Sequence, residues 1–295
     1  MLLKAFLDYL RYERGASEMT VAAYQGDLKA FESFFKSLDS GLSWDNVDAD
    51  VAREWVVWMM EHGNKASSVG RRLSALRSCY RFLLKRGLVE RDPVHNLTAP
   101  KKERVLPAFV REDDMDRLLD TEGMFADSYK GRLEKLIVTM FYETGLRLSE
   151  LVGLNVDDVN LTAQTVKVTG KGNKQRVVPL GDELLHLINI YIGERSMLPV
   201  IVEPDAFFLT EKGSRVRHAT VRMMVKAKLG LVTTQRKRSP HVLRHTFATS
   251  MLNHEANLES VKELLGHESL STTEIYTHTT FEELKKVYRD AHPRA

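Results

Sequence analysis

The chain has 295 residues, 43% of them apolar, which is room for two cored domains at about 100–200 residues each. Its 43 lysines and arginines against 40 acids leave a formal charge of only +3, so an anionic partner must be met by a local patch and not by the field of the whole molecule. The single cysteine, Cys79, excludes an intrachain disulfide and suits a reducing compartment.

In chain order, Leu3, Phe6, Leu7 and Leu10 have the spacing of an amphipathic helix. An acid within that segment, with no small-residue cleavage site after it, argues against a signal peptide. Val21, Tyr24, Leu28, Phe31, Phe35 and Leu38 predict a second helix after the break at Gly15-Ala16-Ser17, and Trp55, Trp58 and Met59 mark the inner face of a third. Residues 68–86 predict a fourth, with Val69, Leu73, Leu76, Tyr80 and Leu83 on one side and Arg71, Arg77, Arg81 and Lys85 mostly on the other. A basic helix face is usually just solvated. Here no acid interrupts 65–86, which makes these four residues candidates for contact with a phosphate backbone. Gly87 ends the helix, and residues 92–107 read as linker from Pro93, Pro100 and Pro107, with Lys101, Lys102 and Arg104 adding charge. The expected organisation is a helical domain at 1–97, a basic linker at 98–107 and a second domain at 108–295.

The second domain opens with helical patterns at about 112–121 and 131–144, the latter closed by Gly145 in a left-handed cap. QTVKVTG and KQRVVPL flank GKGN and predict a hairpin with Lys171 near its tip. These glycines lack the strand-to-helix context of a phosphate-binding loop, and by itself Lys171 is an ordinary turn lysine. The apolar run 184–192 is too short to cross a membrane and carries His186 and Asn189. From 211 to 245 the chain is strongly basic, with Glu211 its only acid. RHATVRMMVKAKLG within it predicts a helix that turns Val221, Met224 and Val225 inward and leaves Arg222 and Lys226, with Arg217 just before, for phosphates. His241 and Arg244 lie three apart behind Pro240, so both should leave one helix face near its N-terminus, a good place to hold an anion. His241 and His245 are four apart, but HExxH is absent and no third ligand is evident, so zinc is not expected.

Six reactive positions then occur in a fixed order: Arg147 in TGLRLSEL, Lys171 in VTGKGNKQRVVPL, His241 and Arg244 in SPHVLRHTFAT, His267 in ELLGHES and Tyr276 in STTEIYTH. With the ending HPRA, this set resembles the tyrosine recombinases of the phage-integrase family, most of all the bacterial Xer type, over essentially the whole length. The resemblance implies a mainly α fold with a small β-sheet: an all-α, SAM-like four-helix core-binding domain, then an α+β catalytic domain with a C-terminal tail helix. It implies cleavage and rejoining of DNA strands through a 3′-phosphotyrosine, with neither ATP, metal nor cofactor. Arg147 and Arg244 would clamp the scissile phosphate, His241 and His267 supply hydrogen bonds and proton traffic, Lys171 protonate the departing 5′ oxygen and Tyr276 attack. Glu150 matches an acidic position that supports the first arginine.

The partners so implied are a double-stranded recombination site and a homo- or hetero-tetramer that exchanges its C-terminal tails in a ring. A second Xer-type recombinase and a division-linked DNA translocase are further candidates, all in the cytoplasm without membrane insertion. Phe281, Leu284 and Tyr288 form the apolar stripe of that tail, which either packs on its own domain or, as the resemblance implies, docks on a neighbour. The implied role is resolution of chromosome dimers before cell division. An integrase of a mobile element and a type IB topoisomerase run similar chemistry and stay open as alternatives, whereas an architectural DNA-binding protein would need neither Tyr276 nor the full catalytic set.

Overall fold

The computed structural model describes residues 2–101, 108–170, 173–266 and 281–295. The chain divides into two compact units, Met1–Val105 and Leu106–Ala295, each with its own apolar core. The described residues are mainly helical with one small sheet.

In the first unit α1 (Leu2–Asp8) continues into a π-helical turn at Tyr9–Glu13, followed by α2 (Glu18–Leu38), α3 (Ala49–Glu61) and α4 (Ala66–Lys85). Ser17 and Asp48 start α2 and α3 by accepting from otherwise orphaned backbone N–H groups, Thr20 N at 3.2 Å and Val51 N at 2.9 Å. Phe6, Phe31, Phe35, Trp55 and Tyr80 fill the centre, and the Tyr80 hydroxyl donates to Trp44 O at 3.0 Å. Two expected core positions lie outside. Leu38 is exposed at the C-terminal end of α2, and Trp58 is 40% exposed, stacked on His62, because Ala52, Trp55 and Met59 define the inward line of α3 and Trp58 falls off its edge.

The inward row of α4 is as expected, but its basic face is less bare than the local sequence suggests. Buried Asp27, on α2, accepts from Arg71 and lies 3.7 Å from Arg72. Arg77 donates to Leu97 O, while Arg81 and Lys85 are exposed. Val94 and Leu97 are buried in the first core, so the proline-flanked stretch at 92–97 is packed structure.

The second unit comprises α5 (Glu112–Asp120), α6 (Tyr129–Thr144), α7 (Leu148–Gly153), β1 (Val159–Asn160), β2 (Thr165–Thr169), β3 (Gln175–Pro179), α8 (Asp182–Ser196), α9 (His218–Val232), α10 (Pro240–Asn253), α11 (Leu258–Leu265) and α12 (Phe281–Ala291). The strands form an antiparallel sheet in the order β1-β2-β3, with Val166 opposite Val178 and Val168 opposite Arg176. Helix α6 is buried continuously from Leu136 to its end and packs on α8 and α10. It ends at Gly145, φ 59° and ψ 24°, where a Cβ would come within 2.5 Å of Phe247 and 2.7 Å of Leu265.

Of the two destinations left open for the tail, the single chain takes the first: Leu284, Tyr288 and Ala291 are buried in their own unit against α10 and α11. The physical reason is that the terminal residues add polar anchors to the apolar stripe. Arg294 donates to Glu183 (2.6 Å), Asp116 (2.8 Å) and Asp120 (2.5 Å), and buried His292 stands 3.3 Å from Tyr142 O. Among the described residues no helix is long and apolar enough to cross a membrane.

Gly145 serves a left-handed backbone and a contact with no space for a methyl group. Gly145→Ala should therefore lower stability by about 2–4 kcal/mol through backbone strain and overpacking together. Urea unfolding of the full chain, followed by a probe in the second unit, checks this; an unchanged midpoint contradicts it.

Candidate active site

The site forms where α7, β3 and α10 converge on the C-terminal end of α11. Arg147 is the residue just before α7, and the Glu150 carboxylate folds back to accept the Arg147 backbone N–H at 2.8 Å. The same carboxylate accepts the Arg147 guanidinium at 2.7 Å and both terminal nitrogens of Arg176, at 3.0 and 2.8 Å. The Glu150 side chain is only 2% exposed. Burial alone would raise its pKa, but the bonds from Arg176 and Arg147 and the charge of Arg176 outweigh it and hold the carboxyl at about 2.

Three consecutive carbonyls at the end of α11 each accept from a different arginine. Leu264 O accepts from Arg176 Nε at 2.8 Å, Leu265 O from Arg244 at 2.6 Å and Gly266 O from Arg147 at 3.0 Å. Gly266, with φ 63°, turns the chain out of the helix there. The last carbonyls of a helix lack intrahelical partners and carry the negative end of its dipole, so they attract cations. Arg244 also donates to Gly145 O at 2.6 Å, at the end of α6. Burial first, and then repulsion by Arg147 and Arg176, draw Arg244 down to about 10, which still leaves it charged at neutral pH.

His241 and Arg244 share α10 but not one environment. Arg244 is buried, whereas His241 is exposed and lines a shallow depression of about 440 Å³ with Arg236, Lys237, Arg238, Ser239 and His245. The His245 pKa is lowered by burial and then by His241 and Arg244. Pro240 occupies the first turn of α10, as expected, so backbone donors and these side chains share one end of the helix.

Arg217 precedes α9, and Arg222 and Lys226 are exposed on it. Part of the basic run around them is structural: Arg215 donates to Val152 O, Leu154 O and Asn155, and Lys228 lies 3.1 Å from Glu134. Lys171, His267 and Tyr276 lie outside the described residues. Among the described residues no group of three or more His, Cys, Asp or Glu is placed to hold a metal ion.

Arg176 is the residue that sequence reasoning missed. Its signal was the alternation in KQRVVPL, which places Arg176 on the same face of β3 as buried Val178. A guanidinium in a core row requires an acid opposite, and Glu150 supplies it.

Guanidiniums fixed by a buried carboxylate near a helix N-terminus have the chemistry to hold an anion such as a phosphodiester. Residues 108–283 match the phage integrase family and residues 3–87 the phage integrase N-terminal SAM-like domain. The chain is 35% identical over 298 residues to tyrosine recombinase XerD of Oceanobacillus iheyensis, covering 99% of this chain and 98% of the relative. It is 37% identical over 317 residues to tyrosine recombinase XerC of Chlorobaculum tepidum, covering 99% and 94%. A crystal structure of the XerH site-specific recombinase bound to difH substrate superposes with a TM-score of 0.70 at 25% identity, over 96% of this chain and 83% of that one. The chain belongs to the phage integrase family, as a tyrosine recombinase of Xer type, an enzyme of site-specific DNA recombination.

Glu150 sits at about 2 against an ordinary 4.5, so its stabilisation is present above the ordinary value and lost as pH falls through its own. Glu150→Gln should be less stable than the parent by on the order of 3 kcal/mol at neutral pH. That gap should close between about pH 4.5 and pH 2. Urea midpoints across the range decide it, and a constant gap would show that the carboxylate charge is not what matters.

Proposed function

We propose that this chain cuts and rejoins DNA at a specific site through a 3′-phosphotyrosine and, in the cell, resolves chromosome dimers before division. The observation that carries the reading is the placement of Arg147 and Arg244 together at the end of α11, with Glu150 fixing the first of them. In this reading both arginines hold the non-bridging oxygens of the scissile phosphate. Losing one such preorganised donor typically costs on the order of a hundred- to a thousandfold in rate.

The Tyr276 oxygen attacks phosphorus and the bond to the 5′ oxygen breaks. Lys171 gives that oxygen a proton, while His241 and His267 supply hydrogen bonds and proton transfer. A 5′ hydroxyl of the partner duplex then displaces Tyr276. One phosphodiester is exchanged for another through a phosphotyrosine, so neither ATP nor a metal enters a step.

Arg81 and Lys85 on α4, and Arg217, Arg222 and Lys226 at α9, serve as backbone contacts on the recombination site. Arg71 and Arg77 join them from positions partly committed to Asp27 and Leu97 O. The working assembly is a tetramer on DNA in the cytoplasm, of this chain alone or with a second Xer-type recombinase, and a division-linked translocase is a further partner. Titrating a labelled duplex with each protein and following four-subunit complexes tests the assembly.

Tyr276→Phe should bind DNA as the parent does yet form no covalent adduct, since only the nucleophilic oxygen is lost. A normal adduct yield would move the nucleophile elsewhere. Lys171→Ala should be slowed by on the order of 10²–10⁴ on ordinary DNA yet cleave a substrate with a bridging 5′ sulfur nearly normally, because a thiolate departs with little help from an acid. Equal defects on both substrates would leave Lys171 a binding residue only.

A further inference from the structure

We infer that Arg176 is a positioning residue for Arg147, acting through both groups that hold the Arg147 side chain. The inference rests on the reading of Arg147 as a phosphate ligand and extends it to the strand of the hairpin. Among the described residues the Arg147 guanidinium is held by the Glu150 carboxylate at 2.7 Å and by Gly266 O at 3.0 Å. Arg176 contacts the first directly and flanks the residue that carries the second. It grips the two oxygens of Glu150 and donates to Leu264 O at 2.8 Å, two residues before Gly266. It also packs on Gly266, where a Cβ would meet Arg176 Cδ at 3.1 Å.

Only a guanidinium makes this set of contacts. Nε, Nη1 and Nη2 are coplanar and point two ways, so one side chain ties α7, β3 and the end of α11 together. The Arg176 side chain is 13% exposed, against 35% for Arg147, so within this pair Arg176 is the inner member and Arg147 the one open to a ligand. Without Arg176, Glu150 would keep the two contacts from Arg147 but lose its bidentate partner in a buried place. The carboxylate and the end of α11 would then no longer fix the plane of the Arg147 fork.

Misplacement of a charge-stabilising group by about 1 Å can cost about a hundredfold. Arg176→Met, which keeps an unbranched stem without the donors, should therefore slow covalent adduct formation on ordinary DNA about a hundredfold. The discriminating substrate replaces the scissile phosphate by an uncharged methylphosphonate, which needs little help from Arg147. If Arg176 acts through Arg147, then Arg147→Ala and Arg176→Met should both be far less defective on the methylphosphonate than on ordinary DNA. Arg176→Lys should show a smaller loss with the same selectivity.

A merely structural loss slows both substrates equally. Equal slowing by Arg176→Met, with Arg147→Ala still selective, overturns the positioning role and leaves the reading of Arg147 intact. Equal slowing by Arg147→Ala overturns that reading itself. Urea midpoints are measured on each full-length variant, and should Arg176→Met unfold, Arg176→Lys carries the same comparison.

Discussion

A carboxylate buried to 2% exposure organises the second unit's candidate site. Taking such a group out of water costs several kcal/mol unless opposite charge and hydrogen bonds replace the lost solvent. At Glu150 they do, from Arg147 at the start of α7 and from Arg176 on β3, and the acid stays ionised as a result. The two guanidiniums and that of Arg244 also meet the orphan carbonyls of α11. One carboxylate and a helix end thus gather three arginines, and their mutual repulsion adds to burial in lowering Arg244. Among the described residues one carboxylate faces these guanidiniums, and their positive charge is fixed in place before any substrate arrives. That is the preorganisation that an incoming phosphate needs, because the cost of assembling the charges is met during folding.

The division between what was legible in the sequence and what was not follows from range. Periodicity identified the inward row of α4 from Val69 to Leu83 and the hairpin pairing across 165–179, since both depend on neighbours within a few residues. The reactive residues were legible by type and order. Their partners were not: Glu150 meets Arg176 across 26 residues and Asp27 meets Arg71 across 44, and no local pattern encodes which acid faces which base. Edge positions failed for a related reason. Trp58 fits the helical period of α3 as a residue type, but the width of the buried face is set by what packs on it. The chemistry assigned to Lys171, His267 and Tyr276 rests on their places in the motif.

The tail shows the same limit and adds a physical link to the site. Its stripe was readable from spacing, but its destination depended on the groups that surround the last residues. Burial raises Glu143 well above the ordinary carboxylate range, with repulsion from Glu183 adding to it, while burial draws His292 down to about 4. His292 is therefore neutral near pH 7, and Glu143 is shifted toward its neutral form, so burial beneath the tail disfavours charge on both. The charges are kept outside, where Arg294 meets Glu183, Asp116 and Asp120.

His292 stacks on Phe247 with ring centroids 5.7 Å apart, and Phe247 presses on Gly145, whose carbonyl accepts Arg244. The chain of contacts from the tail to the second candidate phosphate ligand is thus continuous and only a few side chains long. Contiguity alone does not establish coupling. It does define how a displaced tail would act: with His292 withdrawn, Phe247 loses one stacking face, and the close fit at the end of α6 that fixes Gly145 O loosens. Arg244 would then keep Leu265 O while its second anchor shifts, so a change in the tail would reach the site as a change in the orientation of one guanidinium and not in its charge.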